Sequence, residues 1–106
     1  ADVLVIIQLF PERSVEELRS LATQLQQQPH VVICFATTAG NKLTLLLARS
    51  VDLDLHMGTL LRDLLQTVGG KGGGRPDSAQ GGVADVALAA QLLAQARVRI
   101  QTSLQP

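Results

Sequence analysis

The sequence predicts a small α/β sandwich of two or three layers around a mixed sheet, formed by one domain of 106 residues. Nearly continuous aliphatic runs at 3–9, 31–36 and 43–49 suit strands that helices cover on both faces. Amphipathic stretches at helical spacing lie between and after these runs. Seven of the nine glycines fall within residues 69–82. The predicted order is therefore β-α-β-β-α-(β)-α, with a glycine-rich loop before the last helix.

The first strand and helix follow from local patterns. The strand at 3–9 ends at Pro11, and Ser14 followed by Glu17 fits a capping box at a helix start. Glutamines at 26–28 are expected to face solvent, and Pro29 to stop the helix. The apolar stripe of this helix consists of Val15, Leu18, Leu21, Ala22 and Leu25.

The second and third strands are expected to form a hairpin. A strand, a helix and the strand at 31–36 imply a right-handed crossover with parallel strands. In the turn TTAGNK at 37–42, Gly40 and Asn41 can adopt positive φ. The strand at 43–49 is then antiparallel to its predecessor.

The second half of the chain adds two helices. Residues 50–55 are expected to be a solvated connector in which an acidic side chain, Asp52 or Asp54, caps the following helix at 57–68. A short extended segment at 78–83 is predicted at a sheet edge. The last helix runs from Asp85 to about Ile100, and residues 101–106 are predicted to be a frayed tail.

Composition narrows the function classes. Nine basic residues balance nine acidic ones, so no global positive field attracts nucleic acid. No apolar run approaches the roughly 18 residues of a membrane span. The single cysteine, Cys34, fits a reducing cytoplasm and is expected to be a core thiol. A chain that starts without Met, directly on a core strand, is expected to be excised from a longer protein.

The remaining chemistry-bearing residues indicate neither a metal site nor catalysis. His30, Cys34 and His56 do not have the spacing of a zinc-ligand set. Ser14 is explained by helix capping, and Ser78 has no neighbouring histidine in sequence, so no nucleophile–base pair is indicated. We therefore expect a binding domain without a metal or cofactor of its own.

The stretch GGKGGGRPDSAQGG at 69–82 is the candidate site. Successive glycine amides can point into one anion-binding nest, and Lys71 and Arg75 would supply charge at its rim. Asp77 could hold Arg75, Gln80 could bond a sugar or a base, and Arg62 is expected nearby. Two interpretations stay open: contact with phosphate or RNA, or a tight structural turn where helix and strand backbones pass closely.

Known phosphate motifs do not describe this stretch. Gly-Lys is followed by glycine rather than the Ser or Thr of a Walker A loop. The stretch follows a helix, whereas a dinucleotide fingerprint joins a strand to a helix.

The sequence of this stretch resembles the glycine-rich signature of the C-terminal, DHH-associated domain of alanyl-tRNA synthetase. That pattern is GG-basic-GGGRPD-x-AQ-x-GG, and each fixed position is present from Gly69 to Gly82. The resemblance covers nearly the whole chain. It implies a non-catalytic module that contacts the outer corner of tRNA-Ala and assists aminoacylation and editing. The implied RNA-binding residues are Gly69, Gly70, Lys71, Gly72, Gly73, Gly74, Arg75, Asp77, Gln80 and Arg62.

The same resemblance implies a cytoplasmic parent protein with further domains. That parent is expected to be an alanine–tRNA ligase that uses ATP, magnesium and zinc. The helical segment that mediates dimerisation in the family is not present in this chain, so the resemblance does not extend to dimerisation.

Two relatives of this domain type give alternative functions. One is the C-terminal domain of a free-standing alanyl-tRNA editing protein. The other is the nucleotide- or RNA-binding domain of a DHH-family phosphoesterase, which carries a histidine where Arg75 stands here. A purely structural interaction domain is the third interpretation.

Overall fold

A computed structural model describes residues 2–105, in which a mixed five-stranded sheet lies between helices on both faces. This arrangement confirms the predicted α/β sandwich and shows that it has three layers. Short 3₁₀ turns lie at Ala39–Asn41 and Val86–Leu88. The elements are β1 (Leu4–Leu9), α1 (Val15–Leu25), β2 (Val31–Thr37), β3 (Leu43–Arg49), α2 (Met57–Gln66), β4 (Lys71–Gly74), β5 (Ser78–Val83) and α3 (Ala89–Leu104).

The strand order is β1-β2-β3-β5-β4. β1 and β2 are parallel, and β2–β3, β3–β5 and β5–β4 are antiparallel, which confirms the predicted parallel pair and hairpin. The prediction that residues 78–83 lie at a sheet edge is wrong. β5 lies between β3 and β4, so β4 is an edge strand instead.

The helices divide the core into two parts. α1 packs Leu18 and Ala22 on one face of the sheet, against Ile33, Phe35 and Leu46. α2 and α3 cover the opposite face, and the side chains packed there include Cys34, Leu45, Leu47, Leu61, Leu64, Leu65, Leu92, Ala96 and Ile100.

β2 is buried along its whole length and β3 along all but its last residue, as their unbroken aliphatic runs predicted. β1 is only half-buried, and Leu4 is 64% exposed, because β1 is the outermost strand on its side. The prediction of a strand covered on both faces is therefore wrong for β1.

Polar side chains cap the starts of α1 and α2. The amide of Glu17 donates to Ser14 Oγ at 3.2 Å and the amide of Ser14 donates to Glu17 Oε1 at 3.4 Å, which confirms the capping box. The cap of α2 is His56, whose Nδ1 accepts from the amide of Thr59 at 3.0 Å, and not an acidic residue. α3 continues through Leu104, so the predicted frayed tail is helical over residues 101–104.

The connector after β3 is tied to the start of β2. Asp52 accepts from the amide of His30, and its Oδ2 lies 2.6 Å from His30 Nδ1. A hydrogen bond from Ser50, followed by the His30 amide, lowers the pKa of Asp52. Asp52 is thus exposed, as predicted, but it also fixes the chain at His30, which has a φ of 55°.

The hairpin between β2 and β3 has the predicted turn chemistry. Gly40 and Asn41 have φ values of 75° and 61°.

None of the helices within residues 2–105 combines the length and hydropathy that spanning a membrane requires.

Cys34 should make stability fall at high pH. The thiol is fully buried, and burial raises its pKa to about 12 from an ordinary value of 9.0. As pH rises, the unfolded chain therefore loses this proton first, and the free energy of unfolding falls by about 1.4 kcal/mol per pH unit between these values. Urea unfolding of the parent and of Cys34→Ala between pH 8 and 10.5 isolates this term. Equal pH slopes for the two proteins would contradict it.

Candidate nucleic-acid interface

The glycine-rich stretch forms a β-hairpin, in which the predicted extended segment at 78–83 is one strand and part of the predicted loop is the other. β4 pairs with β5 so that Gly72 lies opposite Gly81, and the amide of Arg75 donates to Ser78 O at 2.9 Å. In this antiparallel register the amides of Gly73 and Lys71 also point at β5. These three amides form hydrogen bonds within the sheet, so they do not converge in an anion-binding nest.

Glycines allow α2 to lie directly on this hairpin. A Cβ built on Gly72 would lie 2.7 Å from Leu65 Cδ1 and 2.8 Å from Gly81 Cα. One built on Gly58 would collide with the carbonyl of Gly74. The structural interpretation, with helix and strand backbones passing closely, therefore holds for Gly74, whereas Gly72 makes room for the Leu65 side chain.

Gly69 and Gly70 join α2 to the hairpin. Gly69 has a φ of 73°, a conformation that glycine adopts without steric cost. The amide of Gly70 donates back to Leu65 O at 2.9 Å and closes the end of α2. α2 consequently ends at Gln66, two residues before the predicted boundary.

The turn at residues 75–77 holds three elements together through its carbonyl oxygens. Arg75 O accepts from the amide of Gly58 at 3.2 Å, and Pro76 O accepts from the amide of Met57 at 2.8 Å. These bonds satisfy amides at the start of α2 that the helix itself cannot satisfy. Asp77 O accepts from the amide of Arg49 at 3.1 Å, which joins the turn to the end of β3.

Gln26 reinforces the same turn. Its Nε2 donates to Arg49 O at 3.0 Å and to Asp77 O at 3.1 Å, and its side chain is half-buried. The prediction that Gln26 faces solvent is therefore wrong. A run of glutamines at a helix end gives no indication of which one is turned inward.

The hairpin presents its other face on the α1 side of the sheet. Gly72 faces α2, so its neighbours Lys71 and Gly73 face the opposite way. Gly73 lies opposite Gln80, and Gln80 lies opposite Leu46, which packs in the α1 core. α1 itself packs mainly on β2 and β3, so Lys71 at the sheet edge stays exposed.

The predicted site residues Arg75, Asp77 and Gln80 lie around this face. The guanidinium Nε of Arg75 is 3.7 Å from Asp77 Oδ1, as expected for an aspartate that holds this arginine. Gln80 Oε1 accepts a hydrogen bond from Arg19 Nη2 of α1. Arg19 was missed by sequence reasoning, because only the packing of α1 beside β5 brings residues 19 and 80 together.

Arg62 is an exposed residue of α2. It lies four residues after Gly58 and three before Leu65, the two α2 residues that meet β4, so it shares their side of the helix. Its Nε is 3.6 Å from Asp63 Oδ1. Arg62 thus lies on the opposite face of the sheet from Gln80, and its part in the site stays a prediction.

Within residues 2–105, no group of three or more His, Cys, Asp or Glu side chains is arranged to hold a metal ion. The chemistry that this region offers is a set of cations and amides beside bare strand backbone.

Comparison with known proteins identifies the domain type. Residues 2–102 match the DHHA1 domain. This chain belongs to the DHHA1 domain family. The match confirms the family to which the sequence pattern pointed.

Relatives of this DHHA1 domain include two alanine–tRNA ligases. The protein from Leptospira biflexa is 38% identical over 82 residues, which are 74% of this chain and 9% of that protein. The protein from Latilactobacillus sakei is 44% identical over 72 residues, which are 64% of this chain and 8% of that protein. The chain thus spans about a tenth of the length of these relatives.

Two solved structures share the fold. The C-Ala domain of Aquifex aeolicus alanyl-tRNA synthetase superposes with a TM-score of 0.72 at 28% identity, over 91% of this chain and 95% of that one. RecJ from Thermus thermophilus, in complex with Mn²⁺, superposes with a TM-score of 0.67 at 20% identity, over 96% of this chain and 14% of that one. The first match confirms the resemblance to the C-terminal domain of alanyl-tRNA synthetase, and the second shows the fold.

Gly58→Ala should destabilise the domain although it replaces glycine within a helix. Helix propensity alone would favour alanine by about 1 kcal/mol. The added Cβ would collide with the Gly74 carbonyl, so we expect a net loss of about 1–3 kcal/mol in urea unfolding. Thr59→Ala, at the next and exposed position, should change stability by about 0.5 kcal/mol or less. A more stable Gly58→Ala protein would contradict this account of the α2–β4 contact.

Gln26→Ala should cost about 1–3 kcal/mol of stability, because it removes the side-chain donor to Arg49 O and one of the two donors to Asp77 O. Gln27→Ala is the matched control, since Gln27 is exposed and bonds only back to Thr23 O of its own helix. Thermal unfolding of both variants checks the difference. Equal melting temperatures would show that Gln26 does not hold the turn.

Proposed function

We propose that this DHHA1 domain is the C-terminal tRNA-binding module of an alanyl-tRNA synthetase, and that it contacts the outer corner of tRNA-Ala. The likeness to the C-Ala domain, over 91% of one chain and 95% of the other, supports the assignment. The alanine–tRNA ligases among its relatives support the same parent. The observation that carries the proposal is the open face of the β4–β5 hairpin, bordered by Lys71 and Arg75.

The geometry of that face suits a phosphate backbone. Lys71 and Arg75 are four residues apart along an extended strand, which separates their Cα atoms by roughly 13 Å. Gly73 lies between them, and among residues 2–105 no atom lies within 4 Å of a Cβ built there. The ligand backbone can therefore approach the strand closely while the two cations bind phosphates on either side.

The other predicted site residues have supporting roles in the proposed RNA contact. Gln80 uses its amide oxygen for Arg19, so the amide nitrogen is the group that it offers to a sugar or a base. Asp77 orients Arg75. Gly69, Gly70, Gly72 and Gly74 act by building the hairpin, and Arg62 adds a contact from α2.

In this proposal the domain binds and does not catalyse. Aminoacylation and editing belong to other domains of the parent, which would use ATP, magnesium and zinc in the cytoplasm, and the domain holds the tRNA for them. A free-standing editing protein would use the same interface. The phosphoesterase alternative is supported only by the shared fold of RecJ at 20% identity.

Lys71→Ala and Arg75→Ala should each weaken binding to tRNA-Ala by roughly three- to tenfold at 0.15 M salt, because each removes a charged contact to phosphate. The slope of log K against log salt should become shallower by about 0.7–0.9 per variant. Both side chains are solvent-exposed, so thermal stability should change by about 0.5 kcal/mol or less. Filter binding between 50 and 200 mM salt gives both readouts.

Arg97→Ala is the matched control for these variants. Arg97 is an exposed arginine on α3, which packs on the opposite face of the sheet from α1. Its loss should leave the affinity within twofold of the parent. Equal affinity for the parent, Lys71→Ala and Arg75→Ala would exclude the hairpin as the RNA contact.

A further inference from the structure

A furrow runs between α1 and β5 on the face of the sheet that carries Gln80. Two spaces of about 410 and 430 Å³ form it, and they are linked by a hydrogen bond, because Gln80 lines the first, Arg19 lines the second, and Arg19 donates to Gln80. We name it the α1–β5 furrow. Its lining includes Val15, Arg19, Thr23 and Gln26 from α1 and Ser78, Gln80 and Gly82 from β5.

The wall of the furrow is one side of α1. Val15, Arg19 and Thr23 are spaced by four residues and Gln26 follows three later, so all four share a helix face. From Val15 to Gln26 this wall is about 16 Å long, which accommodates a few nucleotides of an extended strand. Gly82 lines the furrow and pairs with Lys71 of β4, so the furrow lies beside the hairpin face that carries Lys71.

Charge is concentrated here although the chain has a formal net charge of zero. The basic residues that line the furrow are Arg19, Lys42, Arg49 and Arg75, and Lys71 stands on the far side of β5. Asp77 is the acidic residue among the described lining, and it is paired with Arg75. A local excess of positive charge beside bare strand backbone is complementary to a polyanion.

Arg19 is the furrow cation best suited to bind a ligand. Among residues 2–105 it pairs with the neutral amide of Gln80 and with no carboxylate, so its charge is not compensated there. The guanidinium of Arg49, by contrast, donates to Leu55 O at 2.6 Å and to Ser50 O at 3.1 Å. Arg49 therefore contributes only its positive charge to the electrostatic potential of the furrow, whereas the guanidinium N–H groups of Arg19 can donate to a phosphate.

We propose that the α1–β5 furrow binds the sugar–phosphate backbone of the RNA beyond the part that rests on the hairpin, with Arg19 as a direct phosphate contact. This inference rests on the proposed function, because it extends the same RNA surface from β4 across β5 to α1. It adds a helix, α1, to an interface that the sequence places in the glycine-rich stretch and at Arg62.

Arg19→Ala tests the furrow in the 106-residue chain with tRNA-Ala as the ligand. We expect roughly three- to tenfold weaker binding at 0.15 M salt and a salt slope shallower by about 0.7–0.9. Arg19→Lys keeps the charge and should retain most of the slope. Arg13→Ala is the matched control, because Arg13 is 60% exposed beside the same helix but pairs with Glu17 at 3.6 Å and does not line the furrow.

A labelling experiment keeps the test independent of any change in stability. Cys34 is fully buried with a raised pKa, so a new cysteine at an exposed position reports alone. tRNA-Ala should slow the modification of Thr23→Cys severalfold and leave Ser103→Cys, on α3, unchanged. Equal modification rates with and without tRNA at position 23 would overturn the furrow proposal.

The outcomes separate the furrow from the proposed function. If Lys71→Ala and Arg75→Ala weaken binding but Arg19→Ala does not, RNA uses the hairpin alone and the furrow proposal fails. If none of the three variants weakens binding, the proposed function fails as well. Loss of affinity in all three, with an unchanged Arg13→Ala protein, supports both.

Discussion

The contact between the backbone of α2 and the β4–β5 hairpin is the constraint on which the rest of the structure depends. Gly58 and Gly74 meet without side chains between them, and Leu65 lies on the glycines of both strands. The turn at residues 75–77 reinforces this contact, because the carbonyls of Arg75 and Pro76 accept hydrogen bonds from the first amides of α2. A substitution on either side of the contact would therefore disturb the helix, the hairpin and the sheet edge together.

Because of this contact, the two faces of the β4–β5 hairpin differ: one is packed against α2 and the other is open. The face with Gly72 and Gly74 is used for packing, which is why those positions lack side chains. The face with Lys71 and Gly73 is left open because α1 packs mainly on β2 and β3. A strand whose inner face is fixed by a helix can present its outer backbone in a rigid conformation, so little ordering entropy is lost when a ligand binds.

Sequence patterns predicted those elements whose own residues determine them. The aliphatic runs indicated β2 and β3, and Ser14 with Glu17 marked the start of α1. β4 could not be predicted, because Lys-Gly-Gly-Gly has little intrinsic strand preference and is held extended by β5 and α2. The glycine-rich stretch was recognised as the candidate site, but Arg19 and the inward turn of Gln26 depend on tertiary contacts between segments distant in sequence.

A neutral chain with a local cluster of cations should bind RNA differently from a strongly basic one. With zero net charge it lacks long-range steering, and at physiological salt each cation acts over about 8 Å. In the proposed RNA contact, affinity would then come from cations placed against phosphates at contact distance, which would make the positions of Lys71, Arg75 and Arg19 more important than the total charge. In the proposed synthetase, tethering to other tRNA-contacting domains would raise the effective concentration, so a modest local affinity is sufficient.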